Sequence, residues 1–116
     1  MIQMEQATAS GVERRWIRIA RSENIPAREG RTALINGKEI AIFNLGDRFL
    51  AVDNRCPHQS GPLCDGIVAG DAVVCPLHAW KVNLETGTVV RPVNQNECVR
   101  TYATRVDGGV ISIEAL

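Results

Sequence analysis

The chain is short of histidine and of aromatic residues. Its 116 residues include two histidines, one tyrosine, two tryptophans and two phenylalanines. It also lacks net charge. Thirteen basic side chains balance thirteen acidic ones, which argues against nucleic acid or an anionic membrane held by bulk charge. No apolar run approaches the ~18 residues that span a bilayer. The polar start, residues 1–11, has no apolar signal core, so we expect no membrane partner, no export and a cytoplasmic location. None of the ten glycines falls in G-x-G-x-x-G and no P-loop is present, which removes the dinucleotide and nucleotide-phosphate fingerprints. Long repeats, low-complexity segments and amphipathic helices are also missing.

What is present is an ordinary globular mixture, 45% hydrophobic and 22% charged, long enough for one domain with a modest core. Residues 1–11 read as a flexible leader, and 12–116 as a single domain. Short apolar or β-branched runs alternate with turn signals. Arg15 to Ala20 alternates like a strand with Ile17 and Ile19 on one face. Asn36-Gly37 separates two strand-like runs and predicts a tight hairpin, because both residues tolerate positive φ. Further turns are predicted at Gly46-Asp47, Ala69-Gly70-Asp71, Glu85-Thr86-Gly87 and Asp107-Gly108-Gly109, with 99–106 as one strand. About ten short strands at this spacing predict an all-β fold, an antiparallel sandwich or barrel.

Both histidines sit beside cysteines. Cys56-Pro57-His58 and Cys75-Pro76-Leu77-His78 each place one thiol and one imidazole on a proline-containing loop, and each loop follows an apolar strand end. With no export signal, metal binding is a better reading of the cysteines than disulfides. Cys56, His58, Cys75 and His78 form a four-ligand set that suits a metal centre. Tetrahedral structural zinc is the alternative, although zinc sites usually draw on C-x₂₋₄-C pairs and none occurs here. The two loops mark 53–93 as a small metal-binding subdomain inserted in a base formed by 12–52 and 94–116. With the histidines committed, no obvious general base remains for nucleophilic catalysis, and we assign no catalytic residue.

The C-x-H … C-x-x-H pattern resembles the Rieske signature. The resemblance implies a Rieske-type fold and a [2Fe-2S] cluster, with Cys56 and Cys75 on one iron and His58 and His78 on the other. It further implies one-electron transfer. Such centres span roughly −150 to +300 mV. The high-potential members carry a Gly-Ser and a Tyr after the second histidine, and a cysteine pair bridging the loops. Here Ala79-Trp80-Lys81-Val82 follows His78, and Leu77 stands where the bridging cysteine would be. The resemblance therefore implies a low-potential centre of the soluble ferredoxin kind.

More extended runs, Cys56 to Gly66, Cys75 to Trp80, Leu84-Glu85-Thr86-Gly87 and Cys98-Val99-Arg100-Thr101-Tyr102, resemble the small subunit of bacterial assimilatory NAD(P)H-dependent nitrite reductase. That likeness implies a large partner subunit with flavin and sirohaem, which reduces nitrite to ammonium. A free-standing Rieske ferredoxin serving an aromatic-ring dioxygenase is the alternative within the family. Cys64 and Cys98 are expected to be small buried hydrophobes. Trp80 suits either the core or an electron path, and Arg55 and Lys81 are expected to be solvated charges. Gly61, Gly66 and Gly87 are expected to supply turns with positive φ.

Overall fold

The computed structural model describes residues 15–57 and 61–115. The expected leader, 1–11, and one expected ligand, His58, lie outside the described residues.

The fold is all-β. Its strands are β1 (Arg15–Arg21), β2 (Gly30–Ile35), β3 (Lys38–Asn44), β4 (Phe49–Asp53), β5 (Ile67–Ala69), β6 (Ala72–Val74), β7 (Lys81–Asn83), β8 (Val89–Arg91), β9 (Thr101–Tyr102), β10 (Thr104–Asp107) and β11 (Val110–Ala115). Two single 3₁₀ turns, Ser22–Asn24 and Leu63–Asp65, are the only helical segments among the described residues. The strands form three antiparallel sheets, ordered β1-β11-β10, β2-β3-β4-β9 and β5-β6-β7-β8.

The expected hairpin over Asn36-Gly37 is present. Both residues have positive φ, 52° and 81°, as a two-residue turn matched to strand twist requires. Two expectations need correction. Residues 99–106 do not form one strand. The chain breaks at Ala103, so that β9 pairs with β4 while β10 pairs with β11, and this break carries it from one sheet to the next. The β1 alternation is also interrupted. Ile17 lies opposite Ile113, but a bulge at residues 18–20 brings Ala20 opposite Ile111, so Ile19 is an extra residue.

The core follows from β3. Residues 40–43 are all buried, and successive side chains point to opposite faces. Ile40 and Ile42 pack with Ile25, Ala51, Ile111 and Ile113 against the first sheet. Ala41 and Phe43 pack with Val52, Cys56, Leu63, Val73, Cys75, Val82 and Leu84 against the third. The second sheet is thus covered on both faces. Each fully buried Ile, Leu or Phe contributes roughly 1.5–3 kcal/mol, so residues 40–43 join two cores through one strand.

At the end of β6 and β7 opposite the 75–80 loop, Arg48 joins the second and third sheets. Its guanidinium lies 3.0 Å from both Asp71 and Glu85 and 3.1 Å from Asp47. Asp71 belongs to the β5–β6 turn and Glu85 to the β7–β8 turn.

Candidate metal centre

The two cysteine loops are built alike. Cys56 follows β4 and its N–H donates to the carbonyl of Gly61 at 2.8 Å. Cys75 follows β6 and its N–H donates to the carbonyl of Trp80 at 2.7 Å. Each loop is therefore closed by the cysteine amide across five residues, with proline directly after the cysteine. Pro57 and Pro76 fix φ there and offer no N–H of their own.

Both thiols are enclosed, with Cys56 and Cys75 each 1% exposed. The loops meet at Gly61. A Cβ built on this glycine would stand 2.7 Å from Cys75 Sγ and 3.1 Å from Leu77 Cδ1. The first loop thus lies against the second loop's sulfur in a space that any side chain would fill. The Leu77 N–H also donates to Cys75 Sγ at 3.4 Å, the kind of amide–sulfur contact that favours a thiolate and tunes a cluster. His78 is exposed at the outer end of its loop. It and Ala79 both have left-handed backbone, φ 64° and 58°, which is uncommon for residues with a Cβ and concentrates at functional sites.

This arrangement fits a [2Fe-2S] group with mixed ligation. It offers two buried sulfurs at matched loop starts, an amide directed at one of them, and an imidazole facing outward. Among the described residues no three potential ligands form a complete metal-binding group, and the expected partner of His78, His58, lies outside them.

Asn54 holds the first loop to the base, and its role had no motif to announce it. It is 8% exposed. Its Oδ1 accepts the Cys64 N–H at 2.8 Å, its Nδ2 donates to Glu39 Oε1 at 3.2 Å, and its N–H donates to the Glu39 carbonyl at 3.0 Å. The only sequence signal is a polar residue between an apolar strand and a ligand. One residue earlier, the Asp53 carboxylate accepts the Tyr102 hydroxyl at 2.6 Å. Burial, and then the hydrogen bond to Asp53 and its charge, push the Tyr102 phenol up to about 12.

The remaining expected residues fall into place individually. Cys64 is half-buried against the core, and burial followed by the charge of Asp65 raises its thiol, which keeps it protonated. Cys98, expected to be buried, is exposed. It lies in the uniformly exposed stretch 91–98 and lines a groove with Asp53, Arg55, Cys56 and Arg100. Trp80 packs on the core. Of the three glycines expected to supply positive φ, only Gly87 does so, at 80°. Gly61 and Gly66 serve close approach instead, Gly66 against the Val74 carbonyl.

The model of a Rieske-like [2Fe-2S] domain matches residues 15–114. The ferredoxin component of a naphthalene 1,2-dioxygenase system from Pseudomonas aeruginosa is 30% identical over 101 residues, covering 86% of this chain and 95% of that protein. Among solved structures, the ferredoxin of carbazole 1,9a-dioxygenase from Nocardioides aromaticivorans IC177 superposes with a TM-score of 0.77 at 25% identity, over 84% of this chain and 95% of the other. A chain assigned as the small subunit of an NADH-dependent nitrite reductase from Mycobacterium tuberculosis superposes with a TM-score of 0.82, over 90% of this chain and 98% of the other. At 23% identity this last likeness speaks for the fold alone.

Proposed function

Given that the chain belongs to the Rieske-like [2Fe-2S] family and is an electron-transfer domain with a Rieske cluster, we propose that Cys56, His58, Cys75 and His78 hold that cluster and that this carrier serves a larger redox enzyme. The observation that carries the ligand assignment is the matched pair of loops, each closed by its cysteine amide, with both sulfurs buried and His78 outside. When bound, the group supplies a one-electron couple. The protein's part is to shield the sulfurs, hold the loops in register and present a histidine edge to a partner. Leu77, 41% exposed beside His78, provides apolar contact at that edge.

Our first reading of the partner is a nitrite reductase large subunit. It rests on Trp80 directly after His78-Ala79 and on the run Cys98 to Tyr102. The second reading is an aromatic-ring oxygenase. It is favoured by the dioxygenase ferredoxin that this chain matches over 95% of its length. In both readings the carrier has no substrate site of its own, and the proposed location is the cytoplasm.

Two measurements test this. The dithionite-reduced protein is expected to give the low-average-g EPR signal of mixed cysteine/histidine ligation, whereas a silent, colourless protein would point to zinc. A stable complex with a flavin- and sirohaem-containing subunit, and nitrite reduction on mixing, would select the first partner. Turnover only with an oxygenase would select the second.

A further inference from the structure

The outer face of the first sheet carries polar chemistry that electron transfer does not use. Arg18 on β1 lies opposite Ser112 on β11, and Ser112 lies opposite Arg105 on β10. The three residues form one row across the sheet, and residues directly opposite share a face. All three line a cavity of about 310 Å³, together with Asp107 and Val110. The β1 bulge brings Arg21 opposite Val110, so Arg21 shares this face, where it pairs with Glu23 at 3.6 Å.

Two features set this row apart from ordinary solvated arginines. Ser112 is 7% exposed and lines the cavity. Arg105 is also held in place, its guanidinium carbon 4.5 Å from the centroid of the Trp16 ring. Stacking of this kind reduces the freedom that the side chain would lose on gripping a ligand.

We propose that this cavity binds a carboxylate. Arg18 and Arg105 flank it with planar donor forks that match a carboxylate edge, and the Ser112 hydroxyl donates from the floor. Asp107 forms part of the wall and repels a second negative charge, which selects a monoanion over a phosphate dianion. The carboxylate belongs either to a free small acid or to an acidic side chain of another protein.

The test is an NMR titration of the ¹⁵N-labelled protein with its cluster bound. The probes are acetate, inorganic phosphate and a capped Gly-Asp-Gly peptide, with chloride at equal ionic strength as the blank. Acetate and the peptide are expected to give saturable shifts at the amides of Arg18, Arg105 and Ser112 and at the Trp16 indole N–H. Arg105→Gln and Ser112→Ala are each expected to weaken binding by about tenfold or more, the loss of one charge-assisted hydrogen bond, with spectra elsewhere unchanged. Tighter binding of the peptide than of acetate assigns the ligand to a protein, and the reverse assigns it to a free acid. Shifts no larger than the chloride blank, phosphate bound more tightly than acetate, or undiminished binding by both variants would each overturn the proposal.

Discussion

Gly61 lies directly against the sulfur of Cys75. A methyl group on the glycine would stand 2.7 Å from Cys75 Sγ, inside the contact distance of the two atoms. The first loop therefore reaches its place only because this position has no side chain. Gly61→Ala is expected to lower both iron content and thermal stability, at the ~1–3 kcal/mol typical of overpacking. Iron and acid-labile sulfide per chain, read beside the melting temperature, check this. Wild-type values for both would remove Gly61 from the account of the centre.

His78→Cys exchanges a neutral imidazole for a thiolate and adds negative charge to the cluster. Its midpoint is expected well below that of the unmodified protein, toward the roughly −400 mV of plant-type ferredoxins, with a rise in average g. The unmodified protein itself is expected in the lower part of the Rieske range, since Ala79 and Trp80 offer no hydroxyl. Voltammetry and EPR on the same samples decide both points. An equal midpoint in the two proteins would exclude ligation by His78.

Asn54 connects the first loop to β3 and to the 63–65 turn. Asn54→Ala would leave the part-buried Cys64 N–H without its acceptor, a loss of up to roughly 1–3 kcal/mol. Chemical denaturation of the variant is expected to show this shift. A variant as stable as the unmodified protein would show that the Oδ1 contact at 2.8 Å has no energetic weight.

Much of this was legible in the residue order, for identifiable reasons. Asn36-Gly37 announces its hairpin because the turn geometry requires positive φ at two adjacent residues. The cysteine–histidine loops announce a metal because few other roles gather thiols and imidazoles so tightly. What stayed hidden depends on contacts distant in sequence. Asn54 acquires its role only when Glu39 and Cys64 meet it in space. Gly61 is indistinguishable from a turn glycine until Cys75 packs on it. The break at Ala103 has no proline or glycine to mark it, because it is set by β4 and β11 competing for the same segment.

Tyr102 allows an alkaline test, and it is the chain's one tyrosine, so phenolate absorbance reports it alone. Its folded pKa, about 12, lies above the ordinary 10. The native state therefore keeps its proton where the unfolded chain has lost one. This contribution to stability is complete below pH 10 and is lost as pH rises through 10 to 12. Tyr102→Phe is expected to flatten the fall in stability across that window. A phenolate titrating near 10 in the folded protein would show that the Asp53 contact does not hold the proton.

The double burial of residues 40–43 has a consequence for how the molecule fails on heating. Because Ile42 serves one core and Phe43 the other, neither outer sheet has an inner wall that survives the collapse of its neighbour. Bleaching of the iron–sulfur chromophore and loss of the far-ultraviolet strand signal should then share one midpoint, and a colourless but otherwise intact β-fold should not accumulate along the way.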